Sequence, residues 1–328
     1  MAEPAPGPVV AVLVASAAER LAASGSGSPR LDAELLLAQV LGTDRTGVLA
    51  HPEAPVGDGP RDAFEAAIAR RAGGEPVAYI RGFREFHGQA IATDARALIP
   101  RPETELLVDT ALGVVVAMLT AAPRPEGSPP LRVADVGTGS GAIAVALVAA
   151  LRRRKMADQV LVEASDVSAD ALQLARENAV GHGVADRMTF ALRDLLPERV
   201  EPRFGVICAN LPYVATGDLA GLAKDLSFEP REALDGGPDG LDVVRRLLDL
   251  LPGTLAADGV ALLEIGAGQG ESTIREVATR LPGWSCVVMA DLAGLPRLAR
   301  IEPPPDAGPG TGGGDVAGNL ISGRGPQA

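Results

Sequence analysis

Apolar positions recur at helical spacing from Val9 to about Ala23, again over Leu31–Leu41, and a third time over Arg61–Arg71. A Ser/Gly break at Ser24–Ser28 separates the first two runs, and Gly73–Gly74 ends the third. This spacing predicts a small helical domain over residues 1–75, with the Pro/Ala-rich residues 1–8 frayed. From Pro76 to about Ile99 the segments shorten and are punctuated by Gly82 and Gly88, which predicts a β-hairpin linker over residues 76–100. Helical spacing returns over Glu103–Leu119, and Pro123–Pro130 reads as a mobile polar loop.

Beyond that loop, strands and helices alternate. Strands are expected at Leu131–Val136, Val160–Ser165, Met188–Leu192, Phe204–Ala209, Gly259–Ile265, Ser285–Met289 and Leu298–Ile301. Helices are expected at Ala142–Arg152, Ala169–His182, Leu241–Ala256 and Gly270–Arg280. Such alternation predicts an α/β domain over residues 101–302, a mostly parallel seven-stranded sheet covered on both faces, with the last two strands as an antiparallel edge. Residues 303–328 are Gly/Pro-rich without apolar periodicity and are expected to be disordered.

The first strand of this domain runs into Asp135-Val136-Gly137-Thr138-Gly139-Ser140-Gly141-Ala142. A strand, a glycine-rich turn and a helix are the setting of a nucleotide-type site, where backbone approaches the ligand closely and a helix N-terminus offers N–H groups. A dinucleotide fingerprint needs a third glycine that this spacing lacks, because position 142 is alanine. The G-x-G-x-G spacing after Asp135 suits a ligand with an amino-acid moiety and a sulfonium. Asp166 ends the second strand, where a carboxylate can accept both ribose hydroxyls. Asp194 and Leu195 follow the third, beside an adenine pocket. The bland alternative is a glycine turn that only closes a strand–helix corner.

The fourth strand ends in Asn210-Leu211-Pro212-Tyr213 and should reach the same edge of the sheet. An amide nitrogen is a poor nucleophile because its lone pair is delocalised into the carbonyl. The Asn210 side-chain oxygen and the Leu211 carbonyl are two acceptors that can hold both N–H bonds of such a group. Pro212 stiffens the turn, and Tyr213 can pack on a flat amide. The competing reading is a proline turn capped by asparagine.

Composition narrows the classes. The 328 residues carry a net charge of −12, which disfavours a broad grip on phosphates and predicts no stable nucleic-acid binding. Cys208 and Cys286 lie far apart in apolar runs, and His51, His87 and His182 are isolated, so no metal site is expected. No basic, apolar leader opens the chain and no run is read as crossing a bilayer, so a cytoplasmic protein off the membrane is expected.

Several stretches together resemble the PrmC/HemK family, the glutamine N5-methyltransferases of class I peptide chain release factors. They are RLDAELLLAQVLG (30–42), EPVAYIRGFREFHG (75–88), LIPRPETELLVD (98–109), DVGTGSGAIA (135–144), FEPREALDGGPDGLDVVRRLL (228–248) and LEIGAGQGE (263–271). The resemblance covers nearly all of residues 30–300. It implies a Rossmann-like class I methyltransferase domain, S-adenosylmethionine as cofactor, and a glutamine in a Gly-Gly-Gln loop of a release factor as substrate. It also implies that the N-terminal domain helps dock that protein and that Arg101 and Glu103 border the substrate; a monomer is expected. The family usually has Asn-Pro-Pro-Tyr where this chain has Asn210-Leu211-Pro212-Tyr213; the second residue acts through its carbonyl, so activity is expected to survive. Other readings are a ribosomal-protein glutamine methyltransferase, a DNA or RNA adenine N6-methyltransferase, and a non-catalytic S-adenosylmethionine-binding protein.

Overall fold

The computed structural model describes residues 8–121 and 127–305. The expectations for residues 1–8 and for the tail 303–328 fall mainly outside those residues, and that for Pro123–Pro130 falls partly outside them.

The N-terminal helices are α1 (Val10–Ala23), α2 (Pro29–Val40), α3 (Arg45–Ala50) and α4 (Asp58–Ala72). Leu21, Leu36, Leu37, Phe64 and Ile68 are fully buried between them. Asp32 ties the Ser/Gly break to α4: it accepts from Ser26 Oγ and Ser28 Oγ at 2.7 Å and from Arg71 Nε at 2.7 Å. Helix α3 was not expected. Its six residues are too few to show periodicity, and its only local signal is the Asp44 cap, which accepts from Gly47 N at 2.7 Å.

The linker opens with one helical turn, α5 (Val77–Arg81), which the hairpin expectation did not include; Gly82 ends it at φ 79°. Strands β1 (Phe83–Phe86) and β2 (Gln89–Ala92) then pair antiparallel across His87 and Gly88, at φ 49° and 73°. Positive φ at both positions is the tight two-residue turn that matches strand twist.

Helix α6 (Glu105–Ala121) leads into β3 (Leu131–Val136), α7 (Ala142–Arg153), β4 (Val160–Asp166), α8 (Ala169–Gly181), β5 (Met188–Leu192) and β6 (Phe204–Ala209). After three short 3₁₀ turns come α9 (Asp242–Thr254), β7 (Leu255–Glu264), α10 (Gly270–Arg280), β8 (Ser285–Ala290) and β9 (Pro296–Glu302). The sheet order is β5-β4-β3-β6-β7-β9-β8, parallel up to β7, with β9 antiparallel to both of its neighbours. Residues 255–256 had read as the end of a helix. Pairing of Leu255 with Phe204 draws them into β7 instead, a tertiary override of local preference.

Alternate residues of each central strand enter two apolar layers. Val133, Val206, Cys208 and Leu262 pack with α6 and α7, whereas Ala134, Ile207, Ala209 and Leu263 pack with α9. The segment Pro102–Ala121 has the length and apolar content of a membrane span, contrary to the sequence reading. Here its Leu107, Val108, Ala111 and Val115 are buried in the core instead. The period of two places Asp135, Asn210 and Glu264 on the α6/α7 face at the carboxyl ends of β3, β6 and β7.

Candidate active site

At the tip of β3 the glycine turn is held from behind. Thr138 N donates to Ser165 O at 2.9 Å, and Gly139 N donates to Asp166 Oδ2 at 2.9 Å. Gly137, Gly139 and Gly141 take φ of 69°, 54° and 80°, in the left-handed region that disfavours side chains. A Cβ on Gly141 would lie 3.0 Å from Ala175 Cβ and 3.1 Å from its Cα, so α8 closes the loop tightly. Asn178 of α8 donates to Ser140 O at 2.8 Å and to Ala92 O at 3.0 Å, which fastens the hairpin linker to the loop.

Asp135 stands behind this loop. Its Oδ2 accepts from Thr138 Oγ1 at 2.6 Å and Ala144 N at 3.2 Å, while Oδ1 is sealed from solvent without a partner. Burial pushes its carboxyl up to about 6, helped by the nearby Asp166 charge and opposed by those two hydrogen bonds.

A cavity of about 310 Å³ opens in front of the loop, at the lower end of the range for small-molecule sites. Gly137, Thr138, Gly139, Ser140, Asp166, Asp194, Leu195, Asn210, Leu211, Pro212 and Arg101 line it. Of the other expected site residues, Asp135 and Gly141 sit one layer behind the wall. Tyr213 and Glu103 also lie outside the lining, Glu103 because its side chain is exposed beyond the turn. Asp166 spends Oδ1 on Ser168 N at 2.9 Å as well as Oδ2 on Gly139 N, yet each carboxylate oxygen keeps a lone pair for the cavity. Asp194 is paired with Arg246 of α9, a wall residue that the sequence did not suggest. Leu195 is buried at φ 56°, an unusual backbone for leucine, and its carbonyl accepts from Ser165 Oγ at 3.1 Å.

The tip of β6 reaches the same cavity. A Cβ on Gly137 would meet Leu211 Cδ2 at 3.1 Å, so the two strand tips touch. Asn210 Nδ2 donates to Thr104 Oγ1 at 3.1 Å, which leaves Oδ1 as the free acceptor of the amide. Gln269 Nε2 donates to Tyr213 O at 3.0 Å and to Gly240 O at 3.2 Å, fixing the far end of the turn. Burial raises the Tyr213 phenol above its ordinary value, with the Glu264 carboxylate adding to it.

The linker edge is clamped by Glu229, which accepts from Ile99 N at 2.9 Å and from Arg101 Nη2 at 2.5 Å. Arg101 is therefore held at the cavity rim by a buried carboxylate. Glu264, on β7 beside Asn210, is buried with neither oxygen hydrogen-bonded, and burial raises its carboxyl above the usual range. The Thr104 hydroxyl faces it outside hydrogen-bond geometry, and Arg297 and Arg101 lower the shift in part. Thr104, Glu229, Glu264 and Gln269 were not read as site residues. Each lies in a stretch that carried the family resemblance, which was the one available signal.

A parallel sheet with one reversed strand, β9, next to its edge, a glycine loop and a polar turn on adjacent strand tips define a Rossmann-like class I methyltransferase. The hMettl16 catalytic domain, solved in complex with MAT2A 3′UTR hairpin 1, shares this fold with a TM-score of 0.51 at 17% identity, over 74% of this chain and 82% of that one. The PrmC N-terminal domain pattern matches residues 13–82, and the methyltransferase small domain pattern matches residues 108–240. The release factor glutamine methyltransferase of Moorella thermoacetica is 38% identical over 86% of this chain and 94% of its own length. That of Deinococcus radiodurans is 38% identical over 88% and 96%, and that of Agrobacterium fabrum 40% over 80% and 86%. The chain belongs to the release factor glutamine methyltransferase family.

Proposed function

We propose that this chain methylates the side-chain amide nitrogen (N5) of the glutamine in the Gly-Gly-Gln motif of class I peptide chain release factors, using S-adenosylmethionine. The observation that carries this reading is the single cavity walled by both the Gly137–Gly141 loop and Asn210. The residues present fit the cofactor. Asp135 Oδ1 is a buried acceptor without a partner behind the loop, the charge complement of a cationic ligand. The Asp166 oxygens can accept ribose hydroxyls, and Asp194 and Leu195 border the space for a base.

When bound, the cofactor supplies a methyl group on a sulfonium, which departs as a neutral thioether. Asn210 Oδ1 and the Leu211 carbonyl accept the two N–H bonds of the glutamine amide. They align its nitrogen with the methyl carbon and favour the positive charge that grows on it. The surplus proton then passes to water, because an alkylated amide is a strong acid and needs no dedicated base. Leu211 serves as well as proline here because the contact is made by its backbone. Glu229 keeps Arg101 and the linker edge at the cavity rim, where the release-factor loop would enter.

The test is transfer of label from methyl-tritiated cofactor to a purified release factor, followed by peptide mapping. Label on the Gly-Gly-Gln glutamine, lost in Asn210→Ala, is the expected result. Label on a ribosomal protein or a nucleic acid, or no transfer despite cofactor binding, would overturn it.

A further inference from the structure

Glu264 is a buried acid with no hydrogen bond, placed on the strand next to Asn210, and the chemistry above leaves it without a task. The period of two along β6 and β7 puts Asn210 and Glu264 on one face, and Thr104, in the turn just before α6, lies over both. A threonine hydroxyl has one hydrogen to give and two lone pairs with which to accept. A carboxylate can only accept. With Glu264 ionised, the hydroxyl hydrogen turns toward it, and the lone pairs face Asn210. Only the NH₂ end of the Asn210 amide can then meet Thr104, which is the arrangement observed at 3.1 Å.

We infer that Glu264 is a positioning residue that selects, through the Thr104 hydroxyl, the orientation of the Asn210 amide with its oxygen toward the substrate. This rests on the proposed amide-methylating role of Asn210. The opposite orientation would aim an NH₂ at the NH₂ of a glutamine, two donors facing each other, and no hydrogen bond would form. Glu264 touches neither the cavity nor a reacting atom, so it acts only at second hand. The charged groups that face it are Arg297 from β9 and Arg101 and Glu103 from the turn before α6, with the Tyr213 phenol beside them. Burial disfavours its ionised form and Glu103 adds to that, whereas the Thr104 hydroxyl and the two arginines favour it.

Glu264→Gln keeps the shape and offers an NH₂ to Thr104, freeing the hydroxyl hydrogen to turn toward Asn210 and invert its amide. The expected result is a fall in kcat of about 10- to 100-fold with an unchanged Kd for S-adenosylmethionine by calorimetry. Thr104→Val should fall as far, and Thr104→Ser, which keeps the hydroxyl, should recover most of the rate. The double variant Thr104→Val with Glu264→Gln should be no slower than Thr104→Val alone, because one path is cut twice. Independently of any substrate, the side-chain NH₂ pair of Asn210 in an ¹⁵N–¹H NMR spectrum should shift in both Glu264→Gln and Thr104→Val. Multiplying rate losses in the double variant, or an unmoved Asn210 pair in Glu264→Gln, would overturn the inference. If the wild type methylates no release factor, the functional reading fails, and the NMR comparison still decides whether Glu264 orients Asn210.

Discussion

The tips of β3 and β6 end side by side at one cavity but are built in opposite ways. The β3 tip is mainly a backbone device: three left-handed glycines in five residues bend the chain, and the side chains that fix it come from the loop itself (Thr138), the adjacent strand (Asp166) and the next helix (Asn178). The β6 tip is a side-chain device. Its Asn210 is oriented by Thr104, 106 positions away, and its Tyr213 carbonyl is held by Gln269, 56 positions away. A ligand shared by many enzymes can be cradled by local backbone, whereas an uncommon nucleophile needs its acceptors fixed by groups drawn from elsewhere in the fold. Damage to the first tip should therefore appear in stability and cofactor affinity, and damage to the second in the rate of methyl transfer.

The sharpest way to break this division is Asn210→Ala. It should lower kcat by about 100- to 1,000-fold while the cofactor Kd, read by calorimetry, stays within about threefold. An equal loss in both would mean that the two tips work as one.

Asp135 sharpens the other side through pH. An acid whose folded value is raised from 3.8 to about 6 stabilises the fold fully below 3.8 and loses that contribution as pH rises through about 6. Unfolding curves from pH 3 to 7 should show the wild type losing stability relative to Asp135→Asn, most of it between about 3.8 and 6, with a swing on the order of 3 kcal/mol at most. Parallel curves would remove the buried charge from the account of this loop.

Gly141→Ala places a Cβ in the left-handed region and against Ala175. A loss of about 2 kcal/mol in denaturant unfolding is expected, with weaker cofactor binding and little change in kcat per bound enzyme. Gln269→Ala should have the smallest effect. Freeing the Tyr213 carbonyl should cost about 1 kcal/mol, felt as a several-fold drop in kcat in steady-state assays with the cofactor Kd unchanged.

Much of this contrast was legible before any coordinates, and unevenly so. The β3 loop announced itself because its signal is contiguous: Asp135, three glycines and a helix start within eight residues. Asp135 was read as part of the cofactor loop, and it lies one layer behind the wall, since a sequence shows that a carboxylate sits near the end of a strand but not how deep it is. Asn210 was legible as a turn residue, but not the hydroxyl that orients it. Arg101 was read as bordering the substrate; it lines the cavity while bound to Glu229, 128 positions further along. Helix α3 was too short for periodicity to show, and residues 255–256 joined the sheet because Phe204 offered a partner.

The sequence by itself determined the alternation of strands and helices, the two-sided burial of the central strands and the chemistry available at their ends. These depend on hydrophobic period, on glycine where the backbone must turn, and on residue type, all of which are local. Only the tertiary structure decided the strand order that sets β6 between β3 and β7, and with it the meeting of Asn210, Thr104 and Glu264. Hydrogen-bond direction and burial depth belong to neighbours in space, and those neighbours here lie more than about 50 residues apart along the chain.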